Sequence, residues 1–245
     1  MGNYVVACFA ALALAGCGSG GDAAPLTVSA AASLTDAFEA YGKALPGEQR
    51  FSFGGSDALA AQIRQGAEPD VYAAANTAYP EQLAAAGLVE EPVVFARNQL
   101  VIAAPPGSEI GSLADLAAPG LDLVVCAAGV PCGDYTRELL DRLPAAERQA
   151  ILANVRSEEA DVKGVVGKIA EGAADAGFVY SSDAAAAAGR VEAVALPARL
   201  EPTVAYGAAV VAGAAEPAAA EEFVAGLLDG PGAEALAAAG FLPPP

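Results

Sequence analysis

The chain contains no histidine and no tryptophan, and only 12 Lys and Arg stand against 30 Asp and Glu in its 245 residues. Each shortage removes a class of function. Without histidine, the commonest metal ligand and the commonest general base are missing. A net charge of −18 without a basic stripe argues against nucleic acid, whose affinity rests on lysine and arginine neutralising phosphates. The same surplus opposes long-range attraction of an anion, so any anionic ligand has to be held by local dipoles. No internal repeat and no block of like charge breaks the pattern, and the acidic surplus reads as a solvated surface. The length suffices for a full core, as one large domain or as two lobes.

Long apolar runs are also lacking. Tyr4–Ala15 is almost wholly apolar but too short to span a bilayer, and it matches the central region of a signal peptide. It ends in Leu14-Ala-Gly-Cys17, which resembles the lipobox of bacterial lipoproteins, although no Lys or Arg precedes it. The expectation is a signal peptide over 1–17, lipidation at Cys17 and a flexible tether over 18–25. Cysteine is scarce, with four in all. Cys8 would leave with the signal and Cys17 would carry lipid. Cys126 and Cys132 then remain as an even pair, suited to a disulfide in an oxidising compartment, with free thiols as the alternative. Their spacing does not fit a zinc or redox CxxC pair, and nothing else completes a metal site.

What is present is an alternation of strand and helix signals. Leu34, Ala37, Phe38, Tyr41 and Leu45 recur at helical spacing, and Ser33-Leu-Thr-Asp36 reads as a capping box. Buried strands are expected at Leu26–Ser33, Phe51–Gly55, Asp70–Ala75, Gln99–Ala104, Leu121–Cys126 and Ala176–Tyr180, with others at Val191–Leu196 and Val204–Val211. Helices are expected between them, among them Tyr135–Leu143, Ala145–Val155, the Val162–Ile169 stripe, Pro217–Leu228 and Gly232–Ala239. Such alternation argues for parallel α/β layers.

Ser33 and Ser56 each close a strand-like run and open a helix. A helix N-terminus carries unpaired N–H groups and partial positive charge, so two such ends beside a parallel sheet make an anion site without fixed charge. Cys132 and Val162 fall at two further helix starts, where backbone amides point outward, and Tyr180 ends a strand with a phenol. A local reading competes: plain N-caps for the serines, a core aromatic for Tyr180, an apolar stripe for Val162, and structural roles for Asp36, Asp70 and Asp183.

Several stretches together resemble the molybdate-binding solute-binding proteins of bacterial ABC transporters. They are Ala30–Phe38, Phe51–Ser56, Gly66–Val71, Phe95–Val101, Val130–Gly133, Gly177–Ala184 and the terminal Ala-Gly-Phe241. The resemblance implies an α/β periplasmic-binding-protein-like fold of two lobes, each a mostly parallel sheet flanked by helices, joined by two crossing strands. Lobe I would hold 26–101 and 206–245, and lobe II 102–205. It implies a molybdate, or tungstate, held by the Ser33 and Ser56 hydroxyls and amides, the Cys132 and Val162 amides and the Tyr180 hydroxyl. No cofactor and no direct protein–metal bond is expected. The partner would be an ABC permease, served by a lipid-anchored monomer outside the cytoplasmic membrane. Asp57 stands where a second serine is frequent, and is expected to point away from the anion. The alternatives are a receptor for sulfate or phosphate, a structural lipoprotein, and an exported enzyme using Asp36, Asp57 or Asp183; nothing pairs two carboxylates for the last.

Overall fold

The computed structural model describes Gly2 and residues 24–245. The expected signal peptide, Cys17 and nearly all of the tether lie outside the described residues. Ten strands run in chain order: β1 (Leu26–Ala31), β2 (Gln49–Gly54), β3 (Val71–Ala74), β4 (Val93–Asn98), β5 (Leu100–Ala104), β6 (Leu123–Cys126), β7 (Val155–Glu159), β8 (Ala176–Tyr180), β9 (Glu192–Ala195) and β10 (Val204–Val210). The helices are α1 (Thr35–Ala44), α2 (Ser56–Arg64), α3 (Ala78–Ala85), α4 (Pro131–Asp141), α5 (Ala145–Ala153), α6 (Val162–Ala170), α7 (Ser181–Ala186), α8 (Pro217–Leu228) and α9 (Pro231–Ala238).

The strands form two five-stranded sheets, ordered β2-β1-β3-β10-β4 and β7-β6-β8-β5-β9. Their connectivity is the same. Three parallel strands are followed by one antiparallel strand, and that strand by a fifth antiparallel to it. The chain passes from the first sheet to the second through the single residue Gln99, between Asn98 and Leu100. It returns through residues 196–203, an irregular segment with one 3-10 turn at Ala198–Leu200. Only the outward passage is therefore close to a continuous strand.

Burial explains which strands were legible. β5 and β8 are buried at every position and appear as unbroken apolar runs, as expected for strands covered on both faces. β7 is an edge strand, half-exposed and polar (Val-Arg-Ser-Glu-Glu), and the sequence pattern does not mark it. In the first sheet, Val71 and Ala73 face one cluster with Phe38, Tyr41 and Phe223 of α1 and α8. Tyr72 and Ala74, with the opposite parity, face Leu59, Ile63 and Leu83 of α2 and α3. Asp70, expected to be structural, ties β1 to the segment before α8. Its buried carboxylate accepts from the Thr27 amide (2.8 Å), the Thr27 hydroxyl (2.7 Å) and the Glu216 amide (2.9 Å). Burial alone would raise its pKa, but these bonds outweigh it and hold the carboxyl below the usual range.

Candidate functional site

Parallel α/β sheets bind ligands beyond the carboxyl ends of their strands. Here six such ends face one gap: β1, β2 and β3 from the first lobe and β6, β7 and β8 from the second. All five sequence-predicted residues, Ser33, Ser56, Cys132, Val162 and Tyr180, line the cavity between them. Its volume is about 20 Å³. Pockets for drug-sized organic ligands run to roughly 300–1,000 Å³, so this one suits a small ion. A larger depression of about 380 Å³ lies elsewhere, between Thr136, Leu152 and Ser157, and brings together none of these donors.

The serines are not caps. Ser33 lies inside a 3-10 turn (Ala32–Leu34), makes no capping bond, and instead pairs with Tyr206 Oη at 3.0 Å. The expected Ser33–Asp36 capping box is absent because the turn before α1 places Leu34, not Ser33, at the cap position. Ser56 is the first residue of α2, with Gly55 at the cap. Its Oγ accepts from the Ala75 amide at 3.1 Å, which leaves its own proton free for the cavity. Tyr72, from the other side of β3, donates to the Ser56 carbonyl at 2.7 Å and steadies that residue.

Tyr180 Oη is buried and has no hydrogen-bond partner among the described residues. Burial raises its pKa well above 10, so the phenol keeps its proton and is a donor without an acceptor. The amides of Ser56, Cys132 and Val162 belong to the opening turns of α2, α4 and α6, where no intrahelical acceptor exists. A side chain at Gly133 would run into the carbonyls of Cys126 and Ala127, so glycine lets α4 start against the end of β6. Asp161 also lines the cavity, a residue sequence reasoning did not single out. Its Oδ1 caps α6 by accepting from the Gly164 amide at 3.0 Å. Asp57 is not among the lining residues. No Lys or Arg lines the cavity either.

The expected Cys126–Cys132 disulfide is not formed; both are free, buried thiols. Cys132 Sγ donates to the Phe178 carbonyl at 3.3 Å, so its proton is in use within the second lobe's core. The Cys126 thiol is pushed far up by its hydrogen bond with Cys132 and by burial, which suppresses the thiolate that oxidation requires. The two behave as small core hydrophobes rather than as a loop staple.

Several contacts join the lobes around the cavity. Lys163 Nζ lies 2.9 Å from Asp36 Oδ2 across the gap and 3.5 Å from Asp183 Oδ1 on its own side. Asp183 is fully buried, and desolvation raises its pKa to about 7 against the pull of Lys163. Tyr79 of α3 donates to the Gly129 carbonyl of the second lobe. A Cβ at Gly55 would lie 2.5 Å from the Ala160 carbonyl oxygen of the second lobe, so the backbones approach as closely there as glycine allows. Tyr206 lies 173 residues from Ser33, and no local pattern could have linked them.

Two sheet-and-helix lobes with their strand ends facing one small, donor-lined gap define a solute-binding protein. The chain belongs to the bacterial extracellular solute-binding protein family, whose model matches residues 26–242. It is 41% identical over 227 residues to the molybdate-binding protein ModA of Mycobacterium tuberculosis, covering 89% of this chain and 85% of the relative. The ModA of Haemophilus influenzae is 32% identical over 71% of this chain and 73% of its own length. Among solved structures, the periplasmic molybdate-binding protein of Azotobacter vinelandii superposes with a TM-score of 0.76 at 25% identity, covering 90% of this chain and all of that one. The sulfate-binding protein SubI of M. tuberculosis gives 0.78 at 18% identity, over 89% and 86%. That second likeness speaks for the fold alone. Family membership also decides between binding protein and exported enzyme: the chain is a transport component that works outside the cytoplasm.

Proposed function

We propose that this protein captures molybdate, and tungstate equally well, between its lobes and delivers it to an ABC permease while anchored by lipid on Cys17. The observation that carries the reading is the Tyr180 hydroxyl, unsatisfied among the described residues, in a cavity lined also by serine hydroxyls and helix-start amides, with Asp161 as its one carboxylate and no Lys or Arg. Molybdate is a fully deprotonated dianion near neutral pH, able only to accept. Each hydrogen bond to a charged acceptor contributes about 1.5–3 kcal/mol. Seven such donors (the hydroxyls and amides of Ser33 and Ser56, the amides of Cys132 and Val162, the hydroxyl of Tyr180) offset the desolvation of the ion, with three helix ends adding to them. The molybdate-binding relatives support the ligand.

Closure would turn on the two crossings, with residues 26–101 and 206–245 moving against 102–205 as a monomer. Sulfate is the second reading, since it too is a tetrahedral dianion that only accepts; a smaller ion would leave some donors unmet. Phosphate carries a proton that wants an acceptor, and the one carboxylate lining the cavity, Asp161, already caps α6 through Oδ1, which leaves only its Oδ2 to take that proton. Calorimetry of the mature domain against molybdate, tungstate, sulfate and phosphate tests the assignment. Molybdate and tungstate should bind tightly and alike, with sulfate and phosphate far weaker; tight sulfate binding without molybdate would overturn the ligand. Intact mass of the protein from membranes should show acyl chains on Cys17, and an unmodified cysteine would overturn the anchor.

A further inference from the structure

The Ser33–Tyr206 hydrogen bond can run in either direction, and the direction decides whether Ser33 shows the cavity a proton or a lone pair. Four contacts of the neighbouring Asn98 settle it. Asn98, 4% exposed, sits immediately before the crossing at Gln99. Its amide orientation follows from its partners, because Oδ1 accepts from the Gln99 backbone amide (2.9 Å) and from the Ser181 hydroxyl (2.9 Å). Its Nδ2 therefore faces the other way, donating to Ser182 Oγ (2.8 Å) and towards Tyr206 Oη (3.5 Å). An amide nitrogen cannot accept. The buried Tyr206 hydroxyl thus has one acceptor within reach, Ser33 Oγ.

We infer that Asn98 is a positioning residue for the oxyanion site: by facing Tyr206 with a donor it makes Tyr206 donate to Ser33, and so turns the Ser33 proton into the cavity. Asn98 does not line the cavity itself. Its influence passes through one phenol, from the point where the lobes are joined to the ligand-facing hydroxyl. Ser56 reaches the same polarity by a shorter route, through the Ala75 amide. The inference rests on the reading of the cavity as an oxyanion site.

The test is calorimetry with molybdate on the wild type, Asn98→Asp, Tyr206→Phe, Ser33→Ala and the Asn98→Asp/Tyr206→Phe double variant, each checked for folding by circular dichroism. Asn98→Asp keeps the shape but replaces the donor with an acceptor. Tyr206 then donates to position 98, Ser33 donates to Tyr206, and lone pairs face the dianion. Affinity should fall by at least about tenfold, the loss of one charged hydrogen bond and more. Tyr206→Phe alone should change it by less than about threefold, since Ser33 keeps its donor role. In the double variant Ser33 is released from Tyr206, so much of the lost affinity should return. A double variant as weak as Asn98→Asp would mean that charge repulsion alone is at work, and would overturn the inference. Should Asn98→Asp not fold, Tyr206→Phe decides: tighter binding would show the opposite polarity, and a loss equal to that of Ser33→Ala would show a merely structural phenol. Running sulfate in parallel separates the two readings. A wild type that binds sulfate but not molybdate sinks the ligand assignment, while the same variant series, read with sulfate, still tests Asn98; a wild type that binds neither overturns both.

Discussion

Tyr180 carries a hydroxyl that has no partner among the described residues, and this has opposite consequences for stability and for binding. Removing an unsatisfied buried polar atom relieves its desolvation cost, so Tyr180→Phe should melt at the same temperature or higher without ligand. The same change should weaken molybdate binding by about 1–3 kcal/mol, the cost of one lost donor. A paired loss of both would show the hydroxyl to be structural. Asp183 offers a pH test made clean by the absence of histidine. Its folded pKa, about 7, is raised above the ordinary 3.8, so the stability it contributes is fully present below 3.8 and is lost as pH rises through 7. The loss approaches on the order of 4 kcal/mol by pH 8. Thermal melts should show the wild type losing stability between pH 5 and pH 8 while Asp183→Asn stays nearly level; parallel curves would exclude the carboxyl as the cause. At this scale the sequence marked positions better than roles. Ser33, Ser56 and Tyr180 stand out at strand ends, but the direction of the two serine protons depends on Tyr206 and Ala75, 173 and 19 residues away along the chain.

At the scale of elements, the close approach of the α2 cap to the second lobe makes Gly55 a probe of closure. Its φ of −62° is open to any residue, so alanine would not strain the backbone. The Ala160 carbonyl lies 2.5 Å from the added Cβ and Asp57 Oδ1 lies 2.7 Å from it; the Asp57 side chain can swing aside, whereas the backbone carbonyl of the second lobe cannot. Gly55→Ala should therefore weaken ligand binding while leaving the melting temperature of the ligand-free protein nearly unchanged. Equal affinity in calorimetry would show that the bound state does not bring these backbones together. Most elements were readable because central strands are continuous apolar runs and helices carry apolar stripes with glycine after them, as at Gly66 and Gly87. The edge strand β7 was not, since its half-exposed, charged residues carry no apolar pattern, and β4, with Phe95, Ala96 and Asn98 buried, was missed as well. The cysteine pair misled for a related reason: an even count and an oxidising compartment suggested a disulfide, whereas both thiols are free and buried, at the end of β6 and the start of α4.

At the scale of the whole molecule, the contacts around the cavity describe lobes in apposition. Lys163 holds Asp36 across the gap, and Tyr79 reaches the Gly129 carbonyl. The ion pair is largely exposed, and pairs of this kind contribute no more than about 1 kcal/mol, so it trims the closed state rather than creating it. Small-angle scattering should report a larger radius of gyration without ligand than with molybdate. Identical curves would mean that the lobes do not move. If the ligand meets hydroxyls and amides rather than cations, as proposed, its affinity should vary little with added sodium chloride, unlike that of a site built on ion pairs.

The unequal passages between the sheets carry a last consequence. One is a single residue, Gln99, and the other is an eight-residue stretch with room to flex. A rotation of one half against the other must then pivot close to Gln99, with the longer stretch taking up slack. Displacement grows with distance from that pin, so the Asn98 neighbourhood travels through a short arc and can keep its contacts while the outer lip swings wide.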